Sequence, residues 1–463
     1  MKRLVFCFDG TWNRIDAEYS TNVVITAESV LPLSREGVAQ LIYYDEGVGT
    51  SRFDRIRGGV FGNGLVQNLA EAYRFLIFNY TNGDEIYIFG FSRGAYTARS
   101  FAGLLSTCAI PLRMHAGRVE EAIEKYKSRN DTESYRNDMM VFRSEMSPNV
   151  CVSDLEVNWR KSNLPNFESE GASILNVKYL GVWDTVGALG IPASFELLSW
   201  ANRKHRFHDT NLSAFVKSAR HAVAIDERRK DFAPTLWTNL DALNKASGFS
   251  GQLDEAPYQQ VWFPGTHSSV GGGGERRGLS DQALDWILDG ARVAGLELDN
   301  SDHSRIFELK PDYSEHLENS SNNGRLYRIM NAISVADRLP GPNRVEEVSL
   351  SAKRRWKLAA NFLKDNKEYR PPTLTQVAGE LDSLVLEGFD KGMPLEFKAA
   401  FTLYEVKRGE TLSGIAKEQL GSAKFADDIF KANSDKLESK HRIYAGSVLK
   451  IPTLPLKQAP GSI

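Results

Sequence analysis

Three residues of this chain could together carry out nucleophilic acyl transfer: a serine between two glycines, an aspartate and a histidine, each following an apolar run. The run Ile86-Tyr87-Ile88-Phe89 feeds directly into Gly90-Phe91-Ser92-Arg93-Gly94 and then into a helix expected to begin near Ala95. A serine on such a sharp strand-to-helix corner is exposed above the sheet. The flanking glycines let neighbouring backbone pass, and the first helical turn offers unpaired N–H groups to developing negative charge. The same five residues also occur in ordinary turns, so the reading requires a base and an orienting acid. Asp184 follows the apolar stretch Ile174–Trp183, and His267 lies between the short strand Gln260–Phe263 and the glycine run Gly271–Gly274. The order Ser92, Asp184, His267 is that of nucleophile, acid and base in α/β-hydrolases. Alternatively, Asp184 caps the turn after its strand and His267 is a structural loop residue. Of the other histidines, only His221, in the helix-like run Ser213–Ile225, competes as base. It is read instead as packing beneath the site or bonding its wall.

A second loop bears on the same chemistry. Leu4–Phe8 reads as a central strand ending in Asp9-Gly10-Thr11-Trp12-Asn13. Gly10 and Thr11 could set backbone donors opposite those of Arg93 and Gly94, with Asp9 organising the loop. A phosphatase-like role for Asp9, as nucleophile or magnesium ligand, would want a second carboxylate two positions earlier, where Cys7 stands. No metal-ligand spacing and no phosphate loop is found, and no cofactor is expected. Gly58–Gly64 reads as a lid, a lipid-facing loop or an ordinary rim loop. The three cysteines, at 7, 108 and 151, suit buried thiols rather than a disulfide framework.

At 463 residues and 42% hydrophobic content the chain can bury a large core and divide into domains. A formal charge of −2 argues against a dominant nucleic-acid surface. Met1-Lys2-Arg3 runs straight into a strand, so no secretory leader is read, and no stretch has the length of a transmembrane helix. Helical patterning over Leu65–Tyr80, Gly117–Arg129 and Asp281–Gly295, alternating with the strands, predicts an α/β fold with a mostly parallel sheet. Phe195–Trp200 and Leu236–Tyr258 could form a helical cap, or else helices packed on the sheet. A separate unit of about fifty residues begins at Tyr404 and reads strand, helix, helix, strand, as a binding module.

Two resemblances follow from these blocks. Phe8–Asn13, Gly90–Arg99, Gly181–Gly187, His221 with Asp226–Arg229, and Trp262–Gly273 resemble the DUF2235 α/β-hydrolases, a family that includes phospholipase effectors of the bacterial type VI secretion system. The resemblance covers about residues 1–375 and implies Ser92 as nucleophile, Asp184 as acid and His267 as base. Ser269 stands where the family pattern usually has Asp. Residues 403–452 resemble a LysM domain, joined through a linker or short helix at 376–402 and followed by a tail at 453–463. That resemblance implies binding of N-acetylglucosamine-containing glycans such as peptidoglycan, through Gly409, Thr411, Leu412, Ile443 and Tyr444. Together they imply a phospholipase A made in the bacterial cytoplasm without a signal peptide and delivered to a target-cell periplasm. A type VI component and an immunity protein are the implied partners. The alternatives are a small-ester or thioester hydrolase, or an inactive cell-wall-binding protein.

Overall fold

The computed structural model describes residues 1–10, 15–47, 60–187, 211–301, 303–318, 335–386, 401–433, 437 and 443–452. Six strands form the main sheet: β1 (Arg3–Phe8), β2 (Gln40–Asp45), β3 (Glu85–Phe91), β4 (Tyr179–Trp183), β5 (Ala219–Ala224) and β6 (Tyr258–Phe263). Their order is β2-β1-β3-β4-β5-β6 and every pairing is parallel. The strands are apolar almost throughout because both faces of the sheet are covered. In β1, Leu4, Phe6 and Phe8 enter one core with Ile86 and Ile88 of β3. Val5 and Cys7 enter the other with Tyr87, Phe89 and Phe91. This is the two-residue alternation of a pleated strand.

On the first face, helix α1 (Asn22–Ser29) has no part, whereas α2 (Val60–Asn79) packs Leu69, Tyr73 and Leu76, and α3 (Arg93–Cys108) packs Phe101, Leu104 and Leu105. On the second face, α1 contributes Val23 and Ile25. The short α4 (His267–Gly271) supplies Val270 there, and α5 (Gly278–Val293) supplies Ala283, Leu284, Ile287 and Leu288. The strand order reverses direction between β1 and β3. In open α/β sheets the crevice outside the carboxyl ends at such a point is the usual place for a site, and Asp9 and Ser92 both lie there.

Several expectations shift. The Ser213–Ile225 run is not helical; His221 lies in β5, its ring buried, because the segment is the fifth parallel strand. Of the two readings of Leu236–Tyr258, the structure takes the helix packed on the sheet rather than the cap: the segment lies in the crossover from β5 to β6, with a helix at Leu240–Ala246 whose Leu240 and Leu243 pack on the first core. Phe195–Trp200 lies outside the described residues, as do Gly58 and Gly59; Val60–Gly64 open α2. The segment expected to be a linker or short helix begins as a short helix, Ala378–Ser383, and Leu374, Val377 and Leu381 are buried in a third cluster with Val223, Trp262 and Trp356.

The carboxy-terminal unit holds β7 (Phe401–Glu405), α6 (Leu412–Leu420), α7 (Ala426–Ala432) and β8 (Val448–Pro452). The two strands pair antiparallel over a small core of Ile415, Ile429, Leu449 and Ile451. Among the described residues, no helix is long and apolar enough to cross a membrane.

Candidate active site

Ser92 sits at the corner between β3 and α3 with φ 59° and ψ −123°, a conformation that non-glycine residues rarely adopt. Such strain costs about 1–3 kcal/mol and persists only where the surroundings enforce it. Here the enforcement is close packing. A Cβ on Gly90 would lie 2.5 Å from the Gly94 carbonyl oxygen, and one on Gly94 would lie 2.2 Å from that of Phe8. Both motif glycines are therefore required by contact, the second because the end of β1 presses against the first turn of α3.

Ser92 Oγ is 2.8 Å from His267 Nε2, and His267 Nδ1 is 2.6 Å from Asp184 Oδ2. A carboxylate can only accept, so Nδ1 carries the proton and Nε2 is left to accept from the serine hydroxyl. The three residues come from the ends of β3, β4 and β6, and all are buried. Burial pushes the His267 imidazole below its ordinary value, although Asp184 pulls it back in part. Its ring lies between Phe91, 4.6 Å away between centroids, and Phe232 at 4.8 Å.

Asp184 is held more firmly than a capping role would require. Its Oδ1 accepts from the Ala224 N–H at 2.9 Å. Arg338 spans the carboxylate, Nη1 to Oδ1 at 2.5 Å and Nη2 to Oδ2 at 2.9 Å. Burial alone would raise this carboxyl, but the Arg338 charge and the hydrogen bonds from His267 and Arg338 outweigh it and hold it well below the carboxylate range. The His267 backbone is fixed too, its N–H donating to Glu227 Oε2 at 3.2 Å, while Arg229 Nη2 reaches the same oxygen at 2.7 Å.

His221 does not touch the serine. Its Nε2 accepts from the Thr185 N–H at 3.1 Å and its Nδ1 faces Gln260 Oε1 at 3.0 Å, so the ring supports the loop that carries Asp184. Burial, with help from the Arg99 charge, pushes it down to about 3 and keeps it neutral. Asp9 accepts from the Gly10 N–H at 2.6 Å, Thr21 Oγ1 at 2.6 Å and the Tyr44 hydroxyl at 2.9 Å. It thus ties the end of β1 to α1 and β2. The Gly10 N–H is thus engaged by the Asp9 side chain. Thr11 lies outside the described residues. Arg93 and Gly94 open α3 directly after Ser92, where backbone N–H groups lack intrahelical partners.

Arg338, Glu227 and Arg229 escape the sequence reading. The latter two lie inside the block Asp226–Arg229, whose paired charges after a strand are a usable signal. Arg338, in Val335-Ala336-Asp337-Arg338, carries no local mark of its role.

In the carboxy-terminal unit, Leu412 is 2% exposed and belongs to the small core, against which the partly buried Ile443 packs. Thr411 Oγ1 caps α6 by accepting from the Gly414 N–H at 3.1 Å. Gly409 forms an open turn, and Tyr444 is 64% exposed.

A mostly parallel α/β sheet with a buried Ser–His–Asp chain at its carboxyl edge defines the hydrolase class to which the fold belongs. The model of the family described as "T6SS, Phospholipase effector Tle1-like, catalytic domain" matches residues 2–290, and the chain belongs to that family. A LysM domain is matched at residues 404–452. An uncharacterised protein of Saccharomyces cerevisiae is 26% identical over 259 residues, 53% of this chain and 34% of that protein. The potassium binding protein Kbp of Escherichia coli is 47% identical over 53 residues, 11% of this chain and 36% of Kbp. The chain thus spans about a third of the length of these curated relatives. Among solved structures, an uncharacterised protein from Pseudomonas aeruginosa aligns at TM-score 0.40 and 17% identity, over 84% of this chain and 60% of that one. The Tle1 effector bound to the VgrG spike of the type VI secretion system aligns at 0.30 and 17%, over 60% and 51%. Both structural similarities are distant.

Proposed function

We propose that this protein hydrolyses a carboxylic ester of membrane phospholipid through Ser92, and that its LysM domain holds it at peptidoglycan. The reading is carried by one observation, the continuous hydrogen-bonded chain Ser92 Oγ, His267 Nε2, His267 Nδ1, Asp184 Oδ2 at 2.8 and 2.6 Å. His267 takes the serine proton as Oγ attacks the acyl carbonyl, and Asp184 keeps the imidazole in the tautomer that can do so. The backbone N–H groups of Arg93 and Gly94 face the resulting oxyanion. His267 then protonates the departing alcohol, and water, activated by the same ring, frees the fatty acid and restores Ser92. The phospholipid as substrate is supported by the family match, and retention at the wall by the LysM match with the exposed Tyr444. Delivery through a type VI apparatus, with an immunity protein in the producing cell, accords with the family's description.

The test is fatty-acid release from phospholipid vesicles by wild type and Ser92→Ala, with fluorophosphonate labelling of Ser92. Release lost in the variant, together with labelling of the wild type, is expected. Folded wild type that neither labels nor releases fatty acid overturns the serine mechanism. Turnover of short esters without turnover of vesicles overturns the phospholipid assignment.

A further inference from the structure

The acid of the proposed triad is completed from a part of the chain outside the family match. Residues 2–290 contain Ser92, Asp184 and His267, whereas Arg338 lies beyond them. Arg338 is nevertheless buried, and it meets both oxygens of Asp184 in the bidentate geometry that only a guanidinium supplies. The same two nitrogens donate to the Ala224 carbonyl at 2.8 Å and the Phe232 carbonyl at 2.6 Å. One side chain thereby ties the triad acid to the end of β5 and to the residue whose ring packs on His267.

The segment that presents Arg338 is itself anchored next to the site. Val335 bridges Arg229, the Ala336 N–H donates to the Arg228 carbonyl at 2.8 Å, and Asp337 pairs with Arg228 at 2.8 Å. Further along, Thr373 Oγ1 donates to the Ile225 carbonyl at 3.0 Å. Trp356, Leu374 and Leu381 are buried against Val223 and Trp262 of β5 and β6.

We infer that Arg338 is a positioning residue for the triad carboxylate, and that docking of residues 335–381 on the ends of β5 and β6 completes the active site. This rests on the serine-hydrolase reading above. A fully buried carboxylate without a countercharge is costly and would be free to turn away from His267. Arg338 fixes it, at the expense of part of the attraction that Asp184 exerts on an imidazolium. The groups around the pair are few. Asp184 faces His267 and Arg338, with neutral His221 behind Thr185; His267 faces Ser92, Asp184, Glu227 and Arg229, and the rings of Phe91 and Phe232. With Arg338 gone, Asp184 still accepts from Ala224 N–H and His267, its negative charge acts on His267 uncompensated, and the imidazolium becomes easier to form.

The experiment is the second-order rate of fluorophosphonate labelling at Ser92 against pH, in the full chain, for wild type, Arg338→Ala and Arg338→Lys. Melting curves check that each variant folds. Arg338→Ala is expected to label about 100-fold more slowly at its plateau, as a misplaced acid and base allow. Its acid limb should lie about one pH unit higher than in wild type. Arg338→Lys, with the charge but not the fork, should keep the wild-type limb and recover about tenfold of the rate. A folded alanine variant with an unmoved or lowered limb, or a lysine variant no better than alanine, overturns the inference. If alanine fails to fold, the lysine variant decides alone: a rate equal to wild type overturns the need for the fork. Wild type that does not label at all refutes the serine mechanism instead, which keeps the two failures distinct.

Discussion

Replacing Gly94 by alanine tests the nucleophile corner directly. A Cβ there would stand 2.2 Å from the Phe8 carbonyl oxygen and 2.3 Å from that of Asp9, where ordinary contact begins at 3.4 Å. The obstacle is backbone at the end of a central strand, held by two neighbours, so it cannot swing aside as a side chain would. The first turn of α3 must therefore move by about 1 Å, carrying Ser92 and the N–H groups of Arg93 and Gly94 with it, and a displacement of that size costs about 100-fold in rate. Overpacking of this kind also costs about 1–3 kcal/mol of stability, a fall of several degrees in Tm for a domain of this size. The assay is the fluorophosphonate labelling rate at Ser92 beside a thermal melt, with Gly117→Ala as control, because nothing lies within 4 Å of a Cβ on Gly117. A Gly94→Ala protein that labels and melts like wild type would refute the claim that contact with β1 sets the corner.

Three further outcomes are expected. Burial raises the Asp226 carboxyl to about 6, so the folded protein binds a proton there that the unfolded chain, with an ordinary carboxylate near 3.9, has already released. That contribution is present at pH 4 and lost as pH rises through 6, hence Asp226→Asn should gain about 3 kcal/mol over wild type at pH 7.5 and far less at pH 4 in urea unfolding; an equal difference at both pH values contradicts it. Glu156 is buried between Arg143 and Arg160 at 2.9 and 2.6 Å, so Glu156→Ala leaves two buried guanidiniums short of their carboxylate and should cost about 3–5 kcal/mol, and a loss below about 1 kcal/mol would show the cluster to be dispensable. Tyr444→Ala should weaken retention on purified peptidoglycan by about 3–10-fold, the worth of one aromatic contact; unchanged retention would move the sugar contact elsewhere on the domain.

The elements around the site were largely legible because their signals are local. Apolar runs before Ser92, Asp184 and His267 mark strands, and the helical patterns at Leu65–Tyr80, after Ser92 and at Asp281–Gly295 correspond to α2, α3 and α5, each of which starts a few residues earlier than its apolar periodicity. The run containing His221 misled because a strand covered on both faces, Ala219–Ala224, shows no alternation to separate it from a buried helix. For Leu236–Tyr258, where a cap and a helix packed on the sheet read alike in apolar content, the structure takes the second alternative, with Leu240 and Leu243 on the first core.

By itself, the sequence determined the corner motif, the local contexts of Ser92, Asp184 and His267 and the small strand-helix-helix-strand unit at the carboxy terminus, since each of these depends on residues close together in the chain. Only the tertiary structure decided which residues support them. Glu227 holds the His267 backbone, Asp9 spends its oxygens on Gly10, Thr21 and Tyr44, and Arg338 crosses 154 positions to grip Asp184. Such partners are chosen by where strand ends meet in space, and a hydrogen bond across that distance leaves no periodicity or spacing in the chain to read.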